Sequence, residues 1–152
     1  MPCVMNSSLE GLEIGGYRES ELPAIVDYYG PGDSPVDPFA DLARLRFYVR
    51  HGRLLVARVR GKLAGFIFYR ISDSPWYDES GGRAAVIDEL HVLPKYRRRG
   101  IATILLKRSL DEIRLKNIKR VYIESATVPS LRLYKRSGFS LIRIAYFLRR
   151  DL

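Results

Sequence analysis

Cysteine is nearly absent from this sequence: Cys3 is the only one among 152 residues. A single cysteine excludes an intramolecular disulfide and is typical of proteins from a reducing compartment. Long apolar runs are also absent, and none approaches the ~20 residues that a membrane-spanning helix needs. The N-terminus has no basic segment followed by an apolar core, so no signal peptide is predicted. We therefore expect a soluble, cytoplasmic protein without a membrane partner.

Internal repeats are absent as well, and no stretch of the chain has the character of a boundary between domains. A chain of 152 residues is long enough for one domain that buries roughly 70% of its unfolded surface. The apolar fraction of 47% and the charged fraction of 28% are those of an ordinary globular protein. We predict a single domain over residues 1–152, in which residues 1–10 form a flexible tail.

Acidic residues are scarce relative to basic ones, with 17 Asp and Glu against 26 Lys and Arg, and the formal net charge is +9. A basic surface raises the local concentration of anions such as nucleic acid or a phosphorylated cofactor. The charges are segregated, because segments 19–41 and 71–82 contain no Lys or Arg, whereas basic residues dominate from Lys95 onward. We interpret most of these charges as solvated faces and their segregation as a clue to function.

The remaining patterns predict an alternation of strands and helices. Runs rich in β-branched residues indicate strands, and apolar residues at intervals of three and four indicate helices. The predicted order is β-α-α-β-β-β-α-β-α-β, and the first nine elements span Leu12–Ile14, Ser20–Tyr29, Pro38–Gly52, Arg53–Arg60, Leu63–Ile71, Ala84–Leu93, Ile101–Asn117, Val121–Ser125 and Pro129–Arg136. The C-terminal segment is predicted to form either a very tight hairpin near Arg143–Ala145 or one bent edge strand.

The stretch from Ala84 to Leu106 organises the rest of the chain. A buried strand ends at Pro94, which removes a backbone donor, and a basic turn then leads to Gly100 and a helix from Ile101. A turn that enters a helix in this way points several unpaired N–H groups at one spot, at the positive end of the helix dipole. Since glycine has no Cβ, an anion can approach the backbone at Gly100. The pattern indicates a phosphate-binding turn.

Three segments of the chain resemble the signature of one protein family. Arg97–Ala102 fits the pattern Arg/Gln-x-x-Gly-x-Gly/Ala of the GNAT superfamily of N-acetyltransferases. Leu90–Val92 resembles the Leu-x-Val strand segment of that family, and Leu133–Phe139 resembles its Leu-Tyr-x-x-x-Gly-Phe segment. The three segments follow the family's order, and the resemblance extends from about Leu12 to the C-terminus.

The resemblance implies an α/β (α+β) fold in which helices flank a mixed, mostly antiparallel central sheet and a splayed parallel strand pair holds the cofactor. It also implies an acetyl-CoA-dependent N-acetyltransferase that moves the acetyl group directly to a primary amine. One branch of the family is disfavoured. Where bacterial ribosomal-protein N-terminal acetyltransferases carry a catalytic Glu, this chain has Tyr122, with Glu124 two residues further on.

The resemblance also indicates which residues bind acetyl-CoA. The pyrophosphate is expected on N–H groups between Arg98 and Thr103, with arginine side chains at the rim, and the pantetheine along the backbone of Leu90 and Val92. Thr127 stands in place of a family asparagine and is expected to bond a pantetheine amide. The predicted set is Leu90, His91, Val92, Arg97, Arg98, Arg99, Gly100, Ile101, Ala102, Thr103 and Thr127. No metal ligands are predicted.

Tyr134 is the predicted general acid. It occupies the position of the family tyrosine that gives a proton, or a hydrogen bond, to the departing sulfur of CoA. A phenol can do so near neutrality because it remains protonated. The alternative is an amphipathic core tyrosine whose hydroxyl reaches water or a backbone carbonyl.

Asp88 and Glu89 are the predicted bases for the proton of an ammonium substrate, with a water relay as the alternative. Strand alternation places Asp88 on the face of Leu90, where diamine acetyltransferases of this fold carry an acidic residue, and turns Glu89 the other way unless a bulge intervenes. A second alternative is that both carboxylates form structural ion pairs with nearby arginines. Histidine is a common acid or base in enzymes, but we interpret His91 as a structural histidine.

The acceptor is expected to approach on the side opposite the cofactor, past Gly30–Pro38 and Asp73–Gly82, as the resemblance implies. These segments would form a negative mouth with aromatic faces for a cation, and we therefore expect a cationic acceptor. A polyamine and a lysine or N-terminal amine of a peptide or protein both qualify. The predicted acceptor-binding residues are Asp33, Asp37, Trp76, Tyr77, Asp78 and Glu79. The alternative is that these carboxylates only solubilise two loops.

Two other functions fit parts of the sequence. A protein of this fold that binds CoA without turnover, as a sensor or partner module, leaves Tyr134 and the acidic pair without a purpose. A small basic nucleic-acid-binding domain explains the net charge and Arg97–Arg99 but not the glycine-headed helix or Leu133–Phe139. We therefore favour the enzyme, with an amine-bearing small molecule, peptide or protein as its partner rather than nucleic acid. We expect a monomer or a homodimer.

Overall fold

The structure is a computed structural model that describes residues 9–30, 37–73, 75, 81–123, 128–142 and 150, without the side chains of residues 128 and 129. Its helices are α1 (Leu22–Tyr29), α2 (Leu42–Val49), α3 (Ile101–Leu115) and α4 (Val128–Arg136). Its strands are β1 (Leu12–Gly16), β2 (Arg53–Val59), β3 (Lys62–Ser72), β4 (Ala84–Val92) and β5 (Val121–Ile123). Short 3-10 helices lie at Glu19–Glu21 and Pro94–Tyr96.

The strands form one five-stranded sheet in the order β1-β2-β3-β4-β5. Neighbouring strands are antiparallel except for β4 and β5, whose parallel pairing joins Ala85–Ile87 to Val121–Ile123. This mixed sheet and the order of elements from the first strand to the last helix confirm the predicted architecture. The predicted C-terminal hairpin or edge strand near Arg143–Ala145 lies outside the described residues.

Apolar side chains form a separate core on each face of the sheet. On one face Ile87 packs in a cluster with Leu105 of α3 and Tyr134 of α4. On the other face Phe66 of β3 packs with Leu45 of α2, and α1 contributes to the same cluster. Full burial of one such apolar side chain stabilises the folded state by about 1.5–3 kcal/mol. The two clusters therefore attach a layer of helices to each face of the sheet. In the described part of the chain, no helix has the length and apolar character needed to cross a membrane.

Helix α2 begins at Leu42, four residues after the proline at which the sequence predicts its start. The side chain of Asp41 caps the helix, because Asp41 Oδ1 accepts a hydrogen bond from the N–H of Arg44 over 2.8 Å. Proline at the first helical position is a weaker signal than a carboxylate that satisfies a free N–H group. The predicted start is therefore wrong, and the cap explains where the helix begins.

Candidate active site

A β-bulge in β4 decides where its acidic residues point. Two consecutive residues of β3 pair with Glu89 and Ile87, which leaves Asp88 as an extra residue on β4. Both carboxylates then contact tyrosines of α1 and α2, while Leu90 packs in the core on the α3 side. The bulge considered in the sequence analysis is present. The predicted placement of Asp88 on the face of Leu90 is wrong, because the extra residue reverses the alternation.

Glu89 lies at the centre of the site, with a side chain that is 24% exposed. Its Oε2 atom accepts a hydrogen bond from the Tyr29 hydroxyl over 2.7 Å and lies 2.7 Å from Nε2 of His91. Burial, together with the Glu89 carboxylate, raises the pKa of Tyr29, so this phenol stays protonated and donates. In the part of the chain that the structure describes, Glu89 contacts no lysine or arginine. Its charge is available to an incoming cation.

Asp88 has a different environment, and its side chain is 12% exposed. Its Oδ2 atom accepts hydrogen bonds from the Tyr48 hydroxyl over 3.1 Å and from Nε of Arg70 over 2.9 Å. Burial, and after it the Asp88 carboxylate, raises the pKa of Tyr48, so that hydroxyl also remains a donor. The contact with Arg70 is the kind of structural ion pair that the sequence analysis considered. It distinguishes Asp88 from Glu89 as a candidate base.

The tyrosines around the two carboxylates are candidate site residues that the sequence does not predict. Tyr28 and Tyr29 end α1, and Tyr48 lies in the last turn of α2. The sequence contains a signal for Tyr28 and Tyr29. Adjacent residues of a helix point about 100° apart, so the two side chains cannot both lie on the apolar face that packs against the core. A tyrosine that lies off that face but stays buried needs a partner for its hydroxyl. The identity of that partner depends on the tertiary fold.

His91 is enclosed by aromatic side chains. Its ring stacks on Phe66 with 5.3 Å between the ring centroids and 28° between the planes. Its Nδ1 atom lies 3.3 Å from the hydroxyl of Tyr28, and the side chain is 30% exposed. Each ring nitrogen therefore has a polar neighbour, which agrees with the interpretation of His91 as a histidine held by the structure.

Tyr134 lies in α4 and is 7% exposed. Its ring meets Phe139 edge-on, with 5.8 Å between the centroids. Burial raises the pKa of Tyr134, and the Glu89 carboxylate raises it further. The hydroxyl therefore stays protonated and lies within the electrostatic reach of Glu89. The structure thus brings together the predicted acid and one of the two predicted bases.

Beyond Ile87, the backbone of β4 has no strand paired on the side away from β3 among the residues that the structure describes. The parallel ladder with β5 ends at that residue in the described part of the chain. The N–H of Leu93 donates to the carbonyl of Ala64 in β3 over 2.8 Å. Because hydrogen-bonded and non-bonded positions alternate along an antiparallel pair, the N–H and C=O groups of Leu90 and Val92 point away from β3. This edge is the one predicted to bind pantetheine.

The turn after β4 has the geometry of an anion site. Gly100 has φ +82°, in the left-handed region that favours glycine, and no atom lies within 4 Å of where its Cβ would be. The carbonyl of Gly100 accepts the N–H of Ile104 over 3.2 Å, so the preceding N–H groups of α3 have no acceptor within the helix. No side chain caps this helix in the described part of the chain. A phosphate group fits this turn.

The arginines of the turn point in different directions. Arg97 reaches back to β4, where its Nε donates to the carbonyl of Val92 over 2.9 Å, and its Nη2 lies 3.3 Å from the hydroxyl of Tyr28. Arg99 lies over the ring of Tyr96, with 5.9 Å from its Cζ to the ring centroid. The Arg97 side chain therefore joins the cofactor turn to α1, whereas the prediction places it at the rim.

Several predicted site residues lie outside the described residues. These are Thr127 of the cofactor set and Asp33, Trp76, Tyr77, Asp78 and Glu79 of the acceptor set. Asp37 is described, and its Oδ1 atom accepts the N–H of Phe39 over 2.9 Å, which gives that carboxylate a structural task before α2. Among the described residues, no three His, Cys, Asp or Glu side chains form a group that could hold a metal ion.

Comparisons of sequence identify relatives of this chain. A sequence model of the acetyltransferase (GNAT) family matches residues 22–139. An N-alpha-acetyltransferase of Sulfurisphaera tokodaii is 30% identical over 112 residues, which are 64% of this chain and 65% of that protein. The match thus spans just under two thirds of the curated relative.

Comparisons of structure agree with this match. The aminoglycoside N-acetyltransferase AAC(6')-Iy in complex with CoA superposes with a TM-score of 0.76 at 17% identity, over 99% of this chain and 100% of that one. A predicted acetyltransferase with acetyl-CoA from Clostridium acetobutylicum superposes with a TM-score of 0.70 at 19% identity, over 91% of this chain and 96% of that one. At these identities the similarity shows a shared fold.

Proposed function

The chain belongs to the acetyltransferase (GNAT) family, and on that basis we propose that it transfers the acetyl group of acetyl-CoA to a primary amine. The observation that carries this proposal is the arrangement around β4. Strand β4 and the turn after it carry a partly buried carboxylate at Glu89, a strand edge at Leu90 and Val92 that no described strand covers, and a phosphate-sized turn at Gly100. Burial and the Glu89 carboxylate raise the pKa of the Tyr134 phenol. Each of these features answers one requirement of acetyl transfer from a thioester.

The residues of the turn and the strand edge fit the cofactor. The N–H groups at the start of α3 would hold the pyrophosphate, because the site of a Cβ at Gly100 is open. The N–H groups of Leu90 and Val92 and the C=O group of Leu90 would pair with the amides of the pantetheine arm, as an added strand does. The C=O group of Val92 accepts from Nε of Arg97. When bound, acetyl-CoA supplies an activated acetyl group on a sulfur that can leave.

Glu89 is proposed to take the proton of the amine. An amine arrives as an ammonium ion and must lose a proton before its nitrogen can bond to the acetyl carbon. Glu89 can receive that proton, since its carboxylate contacts no lysine or arginine in the described part of the chain. Asp88 is less suited, because Arg70 and Tyr48 already bind its carboxylate. We therefore assign the base to Glu89 rather than to Asp88.

Tyr134 is proposed to stabilise the departing sulfur. The new N–C bond forms as the C–S bond breaks, and the sulfur then carries the negative charge. A phenol whose pKa is raised by burial and by Glu89 does not ionise near neutrality, so it remains able to give a hydrogen bond or a proton to that sulfur. The proton released by the amine and the charge left on the sulfur are thus handled by separate residues.

The proposed acceptor is a primary amine that arrives as a cation. The Glu89 carboxylate favours a positive charge, and the rings of Tyr28 and Tyr29 beside it meet edge-on with 5.4 Å between their centroids, offering aromatic surface to a cation. The acidic segments before α2 and before β4 point the same way by sequence. The relative named as an N-alpha-acetyltransferase makes the N-terminal amine of a peptide or protein the first acceptor to test, ahead of lysine side chains and polyamines.

Thermal shift and thiol release test this function together. Acetyl-CoA and CoA should each raise the melting temperature, because a ligand at 100 times its Kd stabilises the folded state by about 2.7 kcal/mol. Thiol release should then follow the addition of an amine from a panel of peptides, polyamines and neutral amines. Binding of acetyl-CoA without release on any amine would favour a CoA-binding sensor. No shift with either compound would refute the proposal.

A further inference from the structure

A chain of hydrogen bonds runs from the cofactor turn to the carboxylate of Glu89. Nη2 of Arg97 lies 3.3 Å from the hydroxyl of Tyr28, and that hydroxyl lies 3.3 Å from Nδ1 of His91. Nε2 of His91 lies 2.7 Å from Oε2 of Glu89. These hydrogen bonds connect α1, β4 and the turn before α3, and α1 is distant from the other two in sequence.

Arg97 stands at one end of this series of hydrogen bonds, and its chemistry determines which atom donates in each of them. A guanidinium group only donates hydrogen bonds, so the oxygen of Tyr28 accepts from Arg97 and its own hydrogen is free for Nδ1 of His91. Nδ1 is then an acceptor, and the single ring proton of neutral His91 lies on Nε2. His91 therefore donates to Glu89, and the sequence of donors fixes its tautomer.

The same logic distinguishes the two oxygens of Glu89. Oε2 receives donors from two sides, the hydroxyl of Tyr29 over 2.7 Å and the ring of His91 over 2.7 Å. In the described part of the chain, no group donates to Oε1. The carboxylate is thus held by one oxygen and presents the other. An imidazole with its proton on Nε2 has no lone pair there, so it cannot take a proton from Glu89 through this contact.

We propose that Tyr28 and His91 are positioning residues for the base, and that Arg97 anchors them to the cofactor turn. This inference rests on the proposed function, since it takes Glu89 as the base. His91 donates from Nε2 to Oε2 of Glu89 and so keeps Oε1 aimed at the acceptor nitrogen. Arg97 also donates to the carbonyl of Val92 over 2.9 Å, so a single side chain links the strand edge predicted for pantetheine to the base. The groups that face His91 are Phe66 of β3, the tyrosines that end α1, Glu89 and, through Tyr28, Arg97.

Steady-state kinetics test the positioning role. Tyr28→Phe removes the donor to Nδ1 and should lower kcat up to about tenfold, the effect of one lost hydrogen bond, without changing KM for acetyl-CoA. His91→Ala should lower kcat by at least as much, and His91→Gln should recover most of the loss because its amide N–H can donate to Glu89. Tyr69→Phe is the matched control, since its hydroxyl bonds Glu112 over 3.1 Å on the α3 side, and it should leave kcat unchanged.

Nitrogen NMR of the histidine rings tests the chain without any turnover. The sequence has two histidines, and the second is a built-in control. Nδ1 of His51 lies 2.8 Å from the carbonyl of Phe47, which can only accept. In mildly alkaline buffer His51 should therefore show its proton on Nδ1 and His91 on Nε2. Tyr28→Phe should shift the Nδ1 resonance of His91, which loses its donor, while the Glu89 carboxylate keeps the ring proton on Nε2 and the resonances of His51 stay unchanged.

The outcomes separate this inference from the proposed function. A proton on Nδ1 of His91, or a His91→Gln variant as impaired as His91→Ala, overturns the positioning chain even in an active enzyme. If His51 and His91 show opposite tautomers but the protein acetylates no amine, the series of hydrogen bonds is supported and the function proposed above is refuted.

Discussion

Glu89 and Tyr134 have complementary environments at the scale of single residues. Glu89 contacts no lysine or arginine in the described part of the chain and accepts two hydrogen bonds at one oxygen. Tyr134 is buried, and its pKa is raised. A carboxylate without a basic partner and a phenol that stays neutral are suited to opposite proton transfers. This difference is what the account requires of an acid and a base that share a site.

Tyr134→Phe tests the acid. The change keeps the ring and its contact with Phe139 and removes only the hydroxyl, so folding and acetyl-CoA affinity should change little. Loss of a general acid should lower kcat by roughly 10²–10⁴-fold. Steady-state thiol release measures the effect, and Tyr69→Phe again serves as the control for loss of a buried hydroxyl. Undiminished turnover across the pH range would assign protonation of the sulfur to water.

Glu89→Gln tests the base. The amide keeps the size of the side chain and can still accept a hydrogen bond from Tyr29, but it cannot take a proton. We expect kcat to fall by roughly 10²–10⁴-fold with an unchanged Kd for acetyl-CoA, measured by calorimetry. Asp88→Asn is the matched variant and should cost less turnover, because Arg70 already binds that carboxylate. A larger loss in Asp88→Asn would reverse the assignment.

At the scale of elements, the turn between β4 and α3 and the bulge within β4 differ in how far sequence determines them. The turn depends on neighbouring residues, so its glycine and its basic run predict it directly. The bulge depends on how β4 pairs with β3, and that pairing makes Asp88 the extra residue of β4. The contact of Tyr28 with His91 spans 63 positions in sequence. No local pattern encodes such a contact, which is why the sequence predicts Tyr134 and Glu89 as site residues but does not predict the tyrosines of α1.

Gly100→Val tests the turn. A valine should abolish the acetyl-CoA shift in melting temperature, because its side chain would fill the open space above the N–H groups. A positive φ also strains any L-residue by about 1–2 kcal/mol, so a matched control is needed. Gly61, with φ +77° and open space around its Cβ position, provides one in the β2–β3 turn. Gly61→Val should lose similar stability and keep the full shift; a wild-type shift in Gly100→Val would place the cofactor elsewhere.

An ion pair between β2 and the start of α1 predicts how stability responds to pH. Nη2 of Arg58 donates to Glu21 over 2.8 Å, and the two side chains are 1% and 11% exposed. Burial alone would raise the pKa of Glu21, but the hydrogen bonds from Arg58 and from the N–H of Arg18, with the charge of Arg58, hold it below its usual value. The contribution to stability is therefore present above the unfolded-state pKa and is lost as pH falls through the folded-state pKa.

The corresponding measurement is chemical unfolding across the acid range. The free energy of unfolding should be level above about pH 5 and should fall below the usual pKa of a glutamate, about 4.3. Glu21→Gln should flatten part of that slope. Glu13→Gln is the control, since the Glu13 side chain is 56% exposed and lies 3.4 Å from Arg58 in a weak contact. Equal slopes in wild type and Glu21→Gln would remove this ion pair from the acid response.

At the scale of the whole molecule, the formal charge is +9, but two segments of the sequence are acidic. These segments are predicted to bind a cationic acceptor. The basic residues favour binding of a phosphorylated cofactor. A cationic acceptor requires negative charge on the side of the site opposite that cofactor. The segments without Lys or Arg supply that charge in the sequence. The interpretation of +9 as a nucleic-acid signal loses support, because the chain belongs to an acetyltransferase family and its basic turn has the geometry of a cofactor site.

Charge reversal tests the acceptor side. Asp78→Lys with Glu79→Lys should raise KM for cationic amines, because the local concentration of cations falls with the lost negative potential. The effect should weaken with added salt, as screened electrostatics do, and the Kd for acetyl-CoA should stay the same. Initial rates on a peptide amine and on a neutral amine of similar size measure it. Equal KM values in the double variant and wild type would limit these carboxylates to a solubilising role.

The central claim is that this chain forms an amide from acetyl-CoA and a cationic primary amine with Glu89 as the base. The most direct measurement is mass spectrometry of the acceptor, read beside released thiol, for wild type and Glu89→Gln with one peptide amine. We expect one acetyl group on the peptide for each thiol that the wild-type protein releases. The rate of acetyl transfer should be lower by roughly 10²–10⁴-fold in Glu89→Gln. Thiol release without acetylated peptide, or equal rates for the two proteins, would contradict the central claim.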